Sequence, residues 1–133
     1  MANKPKILLI EDETSIINLV IAYLRQENYE VLTASDGVSG LKAARAFRPD
    51  LIVLDIMLPN MGGLDVLTHL RRESNVYVIL LTAKAEETDK IVGLSLGADD
   101  NVTKPFSHRE MLARNKAELQ RVQAGAAQPA EKI

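Results

Sequence analysis

The 133-residue sequence predicts a doubly wound α/β domain, a parallel sheet with helices on both faces. Three observations lead there. The runs Ile7-Leu8-Leu9-Ile10, Leu51-Ile52-Val53-Leu54 and Val78-Ile79-Leu80-Leu81 lack polar alternation, so they read as strands buried on both faces. Segments with apolar residues at helical spacing lie between them. Each run also ends in residues a core would not choose: Glu11-Asp12-Glu13, Asp55 and Thr82. In an open α/β sheet, the carboxyl ends of the strands are where ligands bind.

In chain order, Lys6 to Ile10 forms the first strand. Thr14 or Ser15 is expected to cap a helix carrying Ile16, Leu19, Val20, Tyr23 and Leu24, with Asn28 as its stop. Tyr29 to Ala34 is the second strand. Asp36-Gly37 turns into a helix that runs to about Phe47, where Gly40, Ala43 and Ala44 allow close packing on the sheet and Pro49 ends it. The third strand ends on Asp55, and a loop through Pro59-Asn60-Met61-Gly62-Gly63 leads to a helix with Leu64, Val66, Leu67 and Leu70. Tyr77 to Leu81 is the fourth strand, followed by Thr82-Ala83. A helix from Glu86 to Leu96 closes at Gly97. The strand Asp100 to Thr103 is polar enough to be an edge, and Lys104-Pro105 ends it. Ser107, with Glu110 three residues on, is a capping box for a last helix to about Val122. Residues 1–122 make one domain, and 123–133, without a core pattern, read as a flexible tail or the start of a linker.

Composition narrows the function. Charged residues make up 26% and the net charge is -2, which excludes recruitment to nucleic acid by bulk charge. There is no cysteine, so thiolate nucleophiles, disulfides and cysteine-bound metals are excluded. No apolar run approaches the roughly 20 residues of a membrane span, and Met1 to Lys6 lacks a signal-peptide core. The expectation is a soluble, cytoplasmic domain that makes no membrane contact.

The topology brings Glu11, Asp12, Asp55, Thr82 and Lys104 to one edge. Three carboxylates about 6 Å apart would repel pairwise by about 3 kcal/mol at an effective dielectric constant near 20. A hard divalent ion held by oxygen ligands relieves this, as Mg²⁺ does with one or two carboxylates and phosphate oxygens. With Lys104 beside the metal and Thr82 donating a hydroxyl, a phosphoryl group could approach an aspartate that attacks it. That chemistry predicts an aspartyl phosphate on Asp55.

These residues resemble the receiver domain of two-component response regulators. The resemblance runs from Lys6 to about Val122. It is carried by Ile7-Leu8-Leu9-Ile10-Glu11-Asp12-Glu13, Asp50 to Pro59, Met61-Gly62-Gly63, Leu81-Thr82-Ala83, Gly97-Ala98-Asp99-Asp100 and Thr103-Lys104-Pro105-Phe106. It implies a flavodoxin-like fold with strand order 2-1-3-4-5 and five helices. It also implies phosphoryl transfer from a histidine kinase to Asp55, with self-phosphorylation and self-dephosphorylation as the only chemistry of its own. Mg²⁺, or Mn²⁺ in its place, would be held by Asp12, Asp55 and the Met57 backbone carbonyl, with Glu11 reaching it through water. Thr82 would contact the phosphate, Lys104 would pair with it, and Lys104-Pro105 would be cis. Met57 and Lys84 occupy the positions that modulate phosphoryl lifetime.

The second half is most similar to the receivers of winged-helix transcription factors. This implies a homodimer through the fourth helix, fifth strand and fifth helix, pairing Lys90 with Glu110, Asp100 with Arg114 and Asp99 with Lys116 around Ile91, Leu94 and Leu112. DNA would be reached only through a winged-helix domain outside this sequence. The departures cluster here too. Asn101 stands where an aromatic switch residue is usual beside the threonine, His108 replaces a frequent proline, Met111 a leucine, and Asn115 an apolar residue facing the sheet. An altered output face on a working phosphoacceptor is the expectation.

Other readings compete. A Mg²⁺-dependent phosphohydrolase with an aspartate nucleophile resembles its relatives in having a second aspartate two residues on, where this sequence has Met57. A flavin binder would need a glycine-rich phosphate loop after the first strand, where Glu11-Asp12-Glu13 would repel phosphate. A receiver-derived scaffold or engineered assembly module without normal switching has no need of the acid set.

Overall fold

A computed structural model of the chain describes residues 4–83 and 87–104, together with Glu110, Ala113, Arg114, Ala117 and Leu119. Within that, the side chains of Glu87, Thr88 and Lys90 are not described. The elements are β1 Lys6–Ile10, α1 Thr14–Gln26, β2 Glu30–Ala34, α2 Gly37–Phe47, β3 Leu51–Asp55, α3 Gly63–Glu73, β4 Tyr77–Ala83, α4 Glu87–Ser95 and β5 Asp100–Lys104. All neighbouring strands are parallel, as the apolar runs predict, and their order β2-β1-β3-β4-β5 is the one the family resemblance implies.

The unbroken apolar runs are explained by two cores. Alternate residues of each central strand point to opposite faces. Leu8, Ile10, Ile52, Leu54, Val78 and Leu80 face a core with Leu41 of α2 and Val66, Leu67 and Leu70 of α3. Ile7, Leu9, Leu51, Val53, Ile79 and Leu81 face another with Val20 and Leu24 of α1 and with Leu119. Burying one such side chain contributes about 1.5–3 kcal/mol, so a strand with both faces covered has no place for polar residues until it leaves the core. The small residues of α2 also have the predicted use: a Cβ on Gly40 would lie 2.7 Å from Ile10 Cδ1.

Several boundaries differ from the sequence expectation. Thr14 is the first residue of α1 and Ser15 lies inside it. The N-cap is Glu13, which makes no side-chain cap bond, and its own N–H is held by the Glu11 carboxylate. Asn28, as expected, follows the helix with φ 66°. β2 begins at Glu30, one residue late, and β4 continues through Thr82 to Ala83, because β5 pairs alongside it. Arg48, rather than a glycine or asparagine, takes the left-handed position after α2. Pro49 disfavours a helical conformation there. Four helices are described in full. The fifth lies largely outside the described residues, although Glu110, Ala113, Arg114, Ala117 and Leu119 are helical. Ser107, His108, Met111 and Asn115 fall outside them, as does the tail.

Candidate functional site

Parallel strands end on a common edge, and there the acids converge. Glu11 follows β1 and is fully buried. Its N–H donates to Ala34 O at 3.0 Å, which extends the β1 and β2 pairing by one residue. Its Oε2 accepts the N–H groups of Asp12 and Glu13 at 3.0 and 3.1 Å. This side chain therefore orders the loop that the acid triplet occupies, a role the sequence did not reveal. Its Oε1 lies 3.0 Å from Lys104 Nζ. That is a charge contact without hydrogen-bond geometry, so the buried oxygen keeps an open lone pair.

Asp55, the last residue of β3, is buried. Its Oδ1 accepts the Met57 N–H at 3.2 Å and its Oδ2 lies 3.3 Å from Lys104 Nζ. The loop after it is folded back tightly. Gly63 N–H donates to Ile56 O at 2.9 Å, and a Cβ on Gly63 would clash with the Asp55 carbonyl oxygen. Glycine at the first position of α3 thus lets the helix close against the end of β3.

One oxygen from each of Glu11, Asp12 and Asp55 lies within 4.8 Å of the others. Asp12 is exposed and the other two are buried, so the cluster opens to solvent on the Asp12 side. Lys104, at the end of β5, touches two of the three acids and is the cation paired with them among the described residues. Burial pushes the Glu11 carboxyl up from 4.5 to about 7, and the Asp55 carboxylate beside it acts the same way. The Glu13 N–H and Lys104 draw it back only partly. For Lys104, burial disfavours the ammonium, but Glu11 and Asp55 outweigh it and its pKa is raised. Acids left with more negative charge than one lysine neutralises, hard oxygen donors and an open lone pair make a set that fits an oxygen-ligated divalent cation.

These positions and this strand order now have a match. The sequence model of the response regulator receiver domain covers residues 7–116. The chain belongs to that family. Among curated relatives of this receiver, the alkaline phosphatase synthesis transcriptional regulatory protein PhoP of Bacillus subtilis (strain 168) is 51% identical over 122 residues, covering 91% of this chain and 51% of PhoP. The DNA-binding response regulator MtrA of Mycobacterium tuberculosis (strain ATCC 25618 / H37Rv) is 42% identical over 118 residues, 89% of this chain and 52% of MtrA. The chain thus spans about half the length of the curated relatives it matches. A CheY-like receiver domain protein from Methanospirillum hungatei JF-1 superposes with TM-score 0.85 at 28% identity, covering 92% of this chain and 98% of that one. The BeF3-activated N-terminal receiver domain of Klebsiella pneumoniae RstA does so with TM-score 0.81 at 31% identity, covering 86% and 97%.

Other expected residues of the receiver are placed as follows. Thr82 is buried at the end of β4 and donates its hydroxyl to Asn101 Oδ1 at 3.0 Å. Met57 is largely exposed, as is Ile91 on α4, and Leu94 on the same helix is exposed to a lesser degree. Arg114 pairs with Asp100 within the chain and lies 3.6 Å from Glu110. Asp99 accepts from Arg71 and from the Val78 N–H, both at 2.9 Å, while Arg71 also donates to Gly97 O at 2.8 Å. Arg71 thereby ties α3 to the turn before β5, and no motif signals it. Lys84, Pro105, Leu112 and Lys116 lie outside the described residues, and so does the Lys90 side chain.

Proposed function

We propose that this receiver is a phosphoacceptor switch in which Asp55 accepts a phosphoryl group from a phosphohistidine of a histidine kinase. The observation that supports it best is the convergence of Glu11, Asp12 and Asp55 within 4.8 Å beside Lys104. Asp12, Asp55, the Met57 carbonyl and, at longer range, Glu11 would hold Mg²⁺ or Mn²⁺. When bound, the ion supplies positive charge against the phosphoryl oxygens.

The chain's own residues then have defined tasks. An Asp55 carboxylate oxygen forms a bond to phosphorus as the bond from phosphorus to the donor imidazole nitrogen breaks. The electron pair stays on the imidazole, which takes up a proton from solvent. Lys104, already in contact with Asp55, balances charge on the transferred group. The Thr82 hydroxyl donates to one of its oxygens. The new group carries nearly two negative charges and draws the ends of β4 and β5 inward, changing the surface of α4 and β5. Exposed Ile91 and Leu94 support that surface as the place where two copies associate. In the longer relatives, whose names describe transcriptional regulators, this would be the output to DNA.

Intact-mass measurement after acetyl phosphate, with and without Mg²⁺, tests the reading. The wild type is expected to gain one phosphoryl group only with the ion, and Asp55→Asn none. A variant that still labels would place the acceptor elsewhere.

A further inference from the structure

Asn101 and Thr82 are diagonal neighbours on one face of adjacent strands, since Leu80 pairs with Asn101 and Thr82 with Thr103. The buried Thr82 hydroxyl donates to Asn101 Oδ1 at 3.0 Å, while Asn101 Nδ2, buried as well, has no hydrogen-bond partner among the described residues. A threonine hydroxyl has one proton to give. Here that hydrogen bond is committed to β5, and the amide receiving it has no second side-chain hydrogen bond among the described residues to hold it.

We infer that Asn101 is a positioning residue that holds the Thr82 hydroxyl on β5 until a phosphoryl group on Asp55 accepts its hydrogen bond instead. This rests on Asp55 being the phosphoacceptor. A phosphoryl oxygen is charged and Asn101 Oδ1 is not, so the hydroxyl turns to donate to the phosphoryl group once it is present. The carboxamide then loses the bond that oriented it. The loss falls on a residue tied to the exposed face of β5: the Asn101 N–H donates to Asp100 Oδ1 at 2.8 Å, and Asp100 Oδ2 receives Arg114. An amide released by its partner's hydroxyl thus takes the part that the position would otherwise give to a ring, and it reports to the ion pair two side chains away.

Beryllofluoride, a stable phosphoryl mimic, tests this in the full chain with Mg²⁺. Asn101→Leu keeps the shape of the side chain but removes the acceptor. It is expected to bind beryllofluoride roughly threefold to tenfold more tightly, the range one hydrogen bond is worth. In a Thr82→Val background the same change should do nothing. In the isotope-labelled wild type, the Asn101 side-chain amide resonances should move on saturation with beryllofluoride. Unchanged or weaker binding by Asn101→Leu, or a gain that persists in Thr82→Val, overturns the inference. Should Asn101→Leu fold poorly, wild-type amide resonances that stay in place are enough to overturn it. A wild type that neither binds beryllofluoride nor labels with acetyl phosphate removes the phosphoacceptor reading itself, whereas normal binding with negative Asn101 results removes only this step.

Discussion

Arg45 and Glu73, at the ends of α2 and α3, meet through two contacts of 2.8 and 3.2 Å with 54% and 41% of their side chains exposed. At the opposite edge of the sheet, Glu11, Asp55 and Lys104 meet at 3.0 and 3.3 Å with almost none of the two acids exposed. Geometry is better in the first group, where charges cancel one for one. The second is crowded, unequal in charge and out of water. An exposed matched pair has little to gain from forming and little to lose from breaking. A buried mismatched cluster stays unfavourable until something else enters it. Incomplete compensation is therefore the mark of the site, and good geometry elsewhere is not.

Three substitutions would break or sharpen that contrast. Asp12→Ala removes the exposed ligand, and divalent-cation affinity measured by calorimetry should fall by about tenfold to a hundredfold or more. Little change would mean that the buried acids alone hold the ion.

Next in size is a pH effect in the metal-free protein. The Glu11 carboxyl is raised to about 7 in the fold from 4.5. Between these values the native state binds a proton that the unfolded state has released, so the contribution of Glu11 to stability falls as pH rises through that window and is largest below it. Urea midpoints at about pH 5 and about pH 7.5 should show this loss, and Glu11→Gln should remove that part of the slope. An unchanged slope would mean that Glu11 does not titrate in this window.

The smallest effect belongs to the other edge. Each partner there shifts the other toward its charged form, Arg45 up and Glu73 down, yet both stand in solvent. Glu73→Gln should leave the melting temperature within error of the wild type and the cation affinity unchanged. A clear drop in either would mean that the pair braces α2 against α3.

Much of the site was legible because of where the apolar runs stop. Glu11, Asp55 and Thr82 each follow directly on residues buried from both sides, and parallel pairing carries strand ends to one edge whatever the loops between them do. Lys104 could be assigned the same way, from the end of β5. The capping of α1 could not. Thr14 and Ser15 have the right chemistry, but the helix already begins at Thr14, behind a loop whose Asp12 and Glu13 N–H groups are held by the buried Glu11 side chain, and propensity does not see that contact. Arg71 was invisible for a similar reason, since its partners lie 26 and 28 residues on.

What the chain determines by itself is the alternation of elements and the set of acids at the strand ends, because period, burial and parallel pairing are local or topological properties, while the strand order came only with the family resemblance. What only the tertiary structure decided is how those groups divide their bonds. Lys104 divides itself between two carboxylates, the Glu11 oxygen it faces has no hydrogen bond among the described residues, and Thr82 donates its hydrogen bond to Asn101. Each of these depends on distances of a few tenths of an ångström across neighbouring strands, set by the packing of both cores, and no residue pattern records them.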